Sequence, residues 1–326
     1  MQHNIRQKGY SYALRPITIE DAQLIIDIRL SEQRRSQFIH PISNDVKAQE
    51  EWLHKYFQSP DDYYFVIENV FTDESEGLIG IYNIQDNRGE WGRWVIKNGS
   101  LAAIESAKLI YDVAFEQLGL DELYSRTIED NVGVVDFHKS IGAKFRKILH
   151  KEFNLNDILH NAVEQYVDRE YYFNNIQEKL EESSLKIFRR NLKQLVGNFE
   201  FEHIGIATTD IHKESKSYFL LGYQKSDFFI DKNQGIKGLF MVSKNQPKLE
   251  LLENLENSTT LNYFLQNKIK IYHFAYMVDN LDKCFEIFTK KLRAKVVSPM
   301  KVSTYFKKRI CFLALPNMMI FELIER

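Results

Sequence analysis

The segment Phe201-Glu202-His203-Ile204-Gly205-Ile206-Ala207 returns as Ile271-Tyr272-His273-Phe274-Ala275-Tyr276-Met277, with the two histidines 70 positions apart. Each copy is followed by an Asp/Asn–hydrophobe pair (Asp210-Ile211, Asn280-Leu281) and then by an amphipathic helical stretch. Each closes on an apolar strand that carries a carboxylate, Leu249-Glu250-Leu251-Leu252 and Phe321-Glu322-Leu323-Ile324, and Glu250 and Glu322 lie 72 positions apart. Near-equal offsets for chemically distinct landmarks point to an internal duplication with a unit of about 70 residues.

A carboxylate inside an apolar strand is costly to bury unless it is protonated, ion-paired or bound to a cation. Here each repeat offers one histidine near its first strand and one glutamate near its last. Pseudo-symmetric packing of the repeats would bring His203, Glu250, His273 and Glu322 to one cleft. That mixed nitrogen and oxygen set suits Zn, Ni, Co, Fe or Mn rather than thiolate chemistry. The plainer reading of the same residues is a pair of core histidines and outward carboxylates on a half-wet sheet.

The segments His203–Ala207, Glu250–Glu253, His273–Tyr276 and Phe321–Glu325 resemble the vicinal oxygen chelate superfamily, and within it the glyoxalase and methylmalonyl-CoA epimerase group. The resemblance covers Phe199 to Arg326. It implies paired βαβββ modules and a divalent metal held by His203, Glu250, His273 and Glu322. It also implies a chemistry in which the metal binds vicinal oxygens of a substrate and stabilises an enediolate while a carboxylate moves a proton. Glu322 would then be both ligand and proton carrier, in an epimerase, isomerase or lyase whose substrate is a small metabolite or a CoA thioester. The same scaffold also hosts dioxygenases, thiol transferases and metal-free binding proteins, so the reaction stays open.

Upstream of the repeats the composition shifts. Residues 176–198, with Gln177-Glu178-Lys179-Leu180-Glu181-Glu182 and Arg189-Arg190-Asn191-Leu192-Lys193, form a charged helical stretch with sparse apolar positions, expected to link two domains. Before it, over residues 1–175, strands and helices alternate in the manner of an α/β (α+β) domain, a mixed sheet flanked by helices. Strands are expected near Tyr12–Arg15, Tyr63–Val70, Leu78–Ile84, Glu90–Ile96, Leu123–Ile128, Lys144–His150 and Val163–Tyr172. Helices are expected after Thr18, over Asp45–Phe57 with Ser43 or Asn44 as cap, over Leu101–Leu118 ending at Gly119, and over Val132–Ser140.

The informative stretch in this half is Glu90-Trp91-Gly92-Arg93-Trp94-Val95-Ile96-Lys97-Asn98-Gly99-Ser100-Leu101-Ala102-Ala103. A strand runs through a short loop into the start of a long helix, where exposed amides and the helix dipole favour an anion such as a pyrophosphate. Asn131 opens a later helix and His138 lies near its end; a helix cap and a polar helix-end residue are the plainer readings of these two.

Together Ala13-Leu14-Arg15-Pro16, the Glu90–Ala103 junction, Asn131 and Phe137–Ala143 resemble the GNAT family of acetyl-CoA-dependent N-acetyltransferases over about Tyr10 to Phe173. The opening stretch to Arg29, with Pro41-Ile42-Ser43 and Trp52, is most similar to members that acetylate nucleotide-linked amino sugars. The resemblance implies acetyl transfer to an amine, with Trp94, Val95 and Ile96 pairing with the pantetheine. Asn98, Gly99, Ser100 and Ala103 would hold the pyrophosphate, Asn131 would bind the cofactor, and His138 would protonate the departing thiolate. Leu101 stands where the family pattern has its first glycine, and the loop is one residue short. Glu90, Glu129 and Asp130 are candidate bases. A silent binding module in this half, attached to a glyoxalase-like metalloenzyme, is the alternative reading.

Composition sets the outer bounds. The chain has 326 residues, 44% of them hydrophobic and 27% charged, with 43 basic against 45 acidic side chains. No global field draws it to nucleic acid or anionic lipid. Cys284 and Cys311 lack metal or redox spacing, and the hydrophilic start Met1–Lys8 has no signal-peptide core. A cytoplasmic enzyme acting on small molecules, with homodimerisation open, is the expectation. Only 14 residues are glycine, about 4% against a usual 7%, and the shortage falls on the loop expected to cradle a pyrophosphate.

Overall fold

The computed structural model describes residues 3–30 and 38–326; Met1 and Gln2, part of the hydrophilic start, lie outside the described residues. The chain divides into two compact units, Met1–Asn191 and Leu192–Arg326. Among the described residues the strands form two eight-stranded mixed sheets, one in each unit.

The first sheet has the order β1-β2-β3-β4-β5-β6-β8-β7. Its strands are β1 (Gln7–Lys8), β2 (Tyr12–Pro16), β3 (Tyr63–Asn69), β4 (Ser75–Gln85), β5 (Arg88–Ile96), β6 (Glu122–Ile128), β7 (Lys144–Leu155) and β8 (Ile158–Asp168). In β3 the run Tyr64-Phe65-Val66-Ile67 is buried throughout, because the sheet is covered on both faces. Tyr64 and Val66 pack with α1 (Ala22–Leu30) and α2 (Val46–Tyr56) through Ile25, Ile28, Leu53 and Tyr56. Phe65 and Ile67 pack on the other side in the cluster of Ala107, Ile110 and Tyr111 from α3 (Ala103–Asp112).

Local signals account for the element ends. Asp45, one or two residues beyond the expected caps, accepts from the Lys47 amide and starts α2. After α3 the helix runs on through a π-turn to Gln117, and Gly119 at φ +68° carries the chain away. The charged stretch is the helix α5 (Gln177–Val196). Leu180, Ser184 and Asn191 are buried and Ile187 is partly so; that spacing makes a stripe one side chain wide. Leu180 and Ile187 join the first unit's core, and Glu181 pairs with Lys108 of α3 at 3.0 Å.

The second sheet has the order β10-β11-β12-β9-β13-β16-β15-β14. The first repeat supplies β9 (Phe199–Ala207), β10 (Gln224–Asp231), β11 (Ile236–Ser243) and β12 (Gln246–Asn254). The second supplies β13 (Ile271–Val278), β14 (Lys295–Val302), β15 (Arg309–Ala314) and β16 (Ile320–Glu325). Each repeat pairs its first strand with its last in parallel, and β9 meets β13 antiparallel at the centre, where the pseudo-twofold axis falls. The Asp/Asn–hydrophobe pairs are helix starts: Asp210 accepts from Lys213 N and Asn280 from Lys283 N, both at 2.9 Å. They open α6 (Ile211–Leu220) and α8 (Leu281–Lys290); a short α7 (Asn262–Gln266) lies between.

Candidate functional site

In the second unit, strand register does the assembly. Gly205 of β9 lies between Glu250 of β12 and His273 of β13, and Ala275 of β13 lies between His203 and Glu322 of β16. Two short rows, each with a small residue in the middle, therefore aim one histidine and one glutamate at a common point. The four residues are buried, and one ligand atom from each lies within 4.8 Å of the others. His203 Nε2 is 3.1 Å from Glu250 Oε2, 3.0 Å from His273 Nε2 and 3.3 Å from Glu322 Oε2; His273 Nε2 is 3.4 Å and 3.3 Å from the same two carboxylate atoms. Ligand bonds of about 2.0–2.2 Å place neighbouring donors about 3.0–3.4 Å apart, the range of a divalent ion's coordination shell. Glu322 Oε2 and His273 Nδ1 are buried and make no directed hydrogen bond among the described residues. Two ring nitrogens and two carboxylates converging on one point, with Glu322 Oε2 left without a hydrogen-bond partner among the described residues, suit a cation at their centre.

The electrostatics agree. Burial alone would lower the pKa of His203, but the charge of Glu250 and contacts with Glu202, Glu250 and Glu322 outweigh it and hold it well above the ordinary value. His273 is raised by Glu250 and Glu322 against the same penalty. Burial opposes ionisation of Glu250, yet the two histidines pull its pKa down. Glu250 is thus held as an anion by the positive charge of the two histidines.

Gly205 is a site residue that motif reading passed over. A Cβ there would stand 2.3 Å from Cε1 of His273, inside its ring. Its signal was present in the repeat itself, as a small residue two positions after each histidine, Gly205 and Ala275. Aromatic rings close the cleft: Phe306 stacks on His203 at 6.0 Å, Phe240 is 5.4 Å from it, and Phe312 is 5.3 Å from His273. The remaining cavity beside Glu250, His273 and Glu322 is about 10 Å³, room for about one water.

In the first unit the site arises where strands part. β5 pairs with β6 in parallel only from Arg88–Glu90 to Glu122–Tyr124. Beyond that point β5 stays on β4, and β6 stays on β8 to Ile128. A cavity of about 310 Å³ lies at the opening, lined by Trp91, Trp94 and Val95 from β5 and Ser125, Arg126 and Thr127 from β6. Arg93 sits at φ +50°, where the β4–β5 register shifts. The bulge turns its guanidinium to a two-pronged pair with Asp62 (2.6 and 2.8 Å), over the Tyr82 ring at 4.4 Å. Arg29, Trp52, Tyr64 and Tyr82 also line the cavity. Arg29 and Trp52 belong to the stretch that carries the amino-sugar resemblance, while Tyr64, Tyr82 and Arg93 were not singled out; the mark that could have found Arg93 is Trp91-Gly92-Arg93-Trp94, where strand alternation breaks.

Of the residues expected to bind a cofactor, Trp94, Val95 and Asn131 line this cavity, and so does His138. Asn131 takes the N-cap position of α4 (Val132–Ser140), but its side chain makes no cap hydrogen bond. Ile96, Asn98, Gly99, Ser100 and Ala103 lie outside the lining, on the strand end and loop that lead to α3. Gly99 turns at φ +79°, and the Ser100 hydroxyl accepts from Ala102 N at 3.1 Å. Trp94 Nε1 donates to Ser106 of α3 at 3.1 Å, which ties strand to helix.

His138 is buried against Trp91 at 4.7 Å, with Nδ1 3.3 Å from Ser125 Oγ. Burial pushes its pKa down to about 4. The imidazole is therefore neutral at pH 7, and a neutral ring yields a proton to a thiolate less readily than a charged one. The three candidate bases are occupied elsewhere and none lines the cavity. Glu90 takes Arg126 at 2.5 Å and Asn83 at 2.9 Å, Glu129 takes Asn161 at 3.0 Å, and Asp130 faces His160 at 3.3 Å.

A splayed mixed sheet with its cavity at the opening, followed by paired modules around a His2Glu2 cluster, defines two domain classes in one chain. Residues 12–144 match the model of the acetyltransferase (GNAT) domain, and residues 202–312 match that of the glyoxalase/bleomycin resistance protein/dioxygenase superfamily. The chain thus joins a GNAT-type domain to a vicinal-oxygen-chelate-type domain. Solved structures similar to it include apo FdhC, a nucleotide-linked sugar GNAT, at 24% identity, covering 55% of this chain and 98% of that one with a TM-score of 0.46. A mutant form of the spermidine N-acetyltransferase SpeG from Vibrio cholerae is 19% identical, covering 51% and 98% with a TM-score of 0.45. A GCN5-related N-acetyltransferase from Brucella melitensis is 15% identical, covering 57% and 86% with a TM-score of 0.49. No curated protein matches the chain. Among the described residues no helix is long and apolar enough to cross a membrane.

Proposed function

We propose that the chain is a bifunctional cytoplasmic enzyme, in which the first domain transfers acetyl from acetyl-CoA to an amino sugar, nucleotide-linked in the natural acceptor. The second domain is a divalent-metal-dependent epimerase, isomerase or lyase. The observation that carries the first part is the cavity at the β5–β6 opening, of ligand size and bordered by the strand that leads to the N-terminus of α3. Trp94, Val95 and Ile96 offer strand backbone to an extended pantetheine, and Asn98 to Ala103 with the start of α3 offer amides to the pyrophosphate. Asn131, with its side chain free of capping, holds the cofactor from the opposite side. In the transfer the acceptor nitrogen bonds to the acetyl carbon, the thioester C–S bond breaks, and the proton lost by the amine is balanced by the one the leaving CoA thiolate takes up. His138 shapes this cavity as a neutral ring.

On the acceptor side, Trp52 and Tyr82 are rings on which a sugar or base can stack, and Arg29 and Arg93 supply positive charge for phosphates. The test is acetylation of a nucleotide-linked amino sugar against the free amino sugar. A kcat/KM at least tenfold higher for the linked form is expected, and equal values would remove the nucleotide from the proposal.

In the second domain His203, Glu250, His273 and Glu322 hold the metal, which when bound supplies Lewis-acid stabilisation of developing negative charge. On this reading Glu322, whose buried Oε2 lacks a hydrogen-bond partner among the described residues, is both ligand and proton carrier. A silent first domain is the second reading, favoured by Leu101 in the loop and by the neutrality of His138. No binding of acetyl-CoA up to millimolar concentration in calorimetry would select it.

A further inference from the structure

The two halves of the metal cluster share a backbone device that they use differently. On β9 the register runs from Ala275↔His203 to Tyr276↔Phe201, so Glu202 is an extra residue on its strand. On β13 it runs from Ile271↔Ile206 to His273↔Gly205, so Tyr272 is extra. Each repeat therefore carries a β-bulge at the residue just before its histidine. A bulge suspends strand alternation and lets neighbours in sequence turn to the same side. In the first repeat Glu202 Oε2 meets Nδ1 of His203. Glu202 is held in turn by Lys248 Nζ, 2.6 Å from Oε1, and that ammonium lies 4.0 Å over the Phe240 ring. In the second repeat Tyr272 takes the bulge position, its ring 5.0 Å from that of His273. His273 Nδ1 is buried without a hydrogen-bond partner among the described residues, and Ile320 stands where the 72-residue offset places the counterpart of Lys248.

We infer that Glu202, steadied by Lys248, is a positioning residue for the metal centre, and that it makes the first repeat the anchoring half. This rests on the reading that His203, Glu250, His273 and Glu322 hold a divalent ion. A carboxylate accepting from Nδ1–H fixes the imidazole so that Nε2 presents its lone pair to the cluster, and it raises the ring's donor strength. His203 has this support and His273 has not. The ion is therefore gripped by His203 through a carboxylate–histidine arm, while His273 is held by packing against Tyr272 and Phe312.

The test is zinc affinity of the full chain by competition with a chromophoric chelator, for wild type, Glu202→Leu, Glu202→Gln and Lys248→Met. Removal of an orienting carboxylate costs roughly 10–100-fold in metal affinity. Glu202→Leu should lose about that much, and Glu202→Gln, which keeps an acceptor oxygen but not the charge, should recover part of it. Lys248→Met should lose less than Glu202→Leu. In the zinc-loaded wild type, proton–nitrogen NMR should show a slowly exchanging Nδ1–H on His203, shifted downfield by the carboxylate and absent in Glu202→Leu. Zinc affinities within twofold across the variants, with zinc bound normally by wild type, overturn the inference alone. A wild type that binds no zinc overturns the metal reading and the inference together. Should Glu202→Leu fail to fold, the wild-type NMR signal and Glu202→Gln still decide: a His203 protonated at Nε2 in the loaded chain contradicts the arm.

Discussion

The first domain keeps its candidate site where two strands part, around about 310 Å³ of open space, whereas the second brings four ligand atoms together and leaves about 10 Å³ beside them. On the proposed functions, the difference follows from what each would hold. A ligand the size of acetyl-CoA needs backbone left without a neighbouring strand, and the β5–β6 ladder provides it by ending at Glu90. A single ion needs short, fixed donor distances, and a duplicated strand pair provides them through register, with Gly205 and Ala275 between the charged ends of each row. One site is built by interrupting a sheet, the other by continuing it across a twofold axis. They should therefore fail in different ways.

The largest effect is expected at Gly205. A methyl group in Gly205→Ala would enter the space of the His273 ring, so the ring must leave its place in the cluster. Zinc affinity should fall at least 100-fold while acetyl-CoA binding stays within twofold of wild type. An alanine variant that holds zinc as wild type does would mean that His273 is not a ligand.

A smaller and different response is expected at His138. Its pKa is pushed down to about 4 by burial, against about 6.5 in an unfolded chain. The unfolded chain therefore binds the extra proton between those values. The stability that comes from burying the neutral ring is full above pH 6.5 and is lost as pH falls through 4, amounting to about 3 kcal/mol. His138→Gln should flatten that part of the first domain's acid unfolding curve. Because the ring is neutral at pH 7, the same variant should keep acetyl transfer within about tenfold. A loss of 1000-fold at pH 7 would mark His138 as the proton donor.

The repeat made the second site readable in advance. Four residues at near-equal offsets in apolar strands named His203, Glu250, His273 and Glu322, and the strands bring all four together. Glu202, Tyr272 and Gly205 stayed hidden because their roles depend on cross-strand register: a bulge has no signature in one strand read alone. The first half was readable as alternating strands and helices and as a strand–loop–helix junction at Glu90–Ala103. Its cavity was not, since it depends on where β6 leaves β5, which neither strand states by itself. Arg29, Trp52, Tyr64 and Tyr82 come from four separate elements and meet only in three dimensions. The charged stretch was readable as the helix α5, while its buried side was not: Leu180, Ser184, Ile187 and Asn191 form a stripe too narrow to stand out among the charges around it.

A paired titration decides whether the chain holds two independent sites. Full-length wild type and His203→Ala would each be titrated calorimetrically with acetyl-CoA, and their zinc content measured after reconstitution. Wild type should bind about one equivalent of each, and His203→Ala should lose the zinc while binding acetyl-CoA unchanged. Less than about a tenth of an equivalent of zinc in wild type, or acetyl-CoA binding that disappears with the metal, would contradict two independent sites.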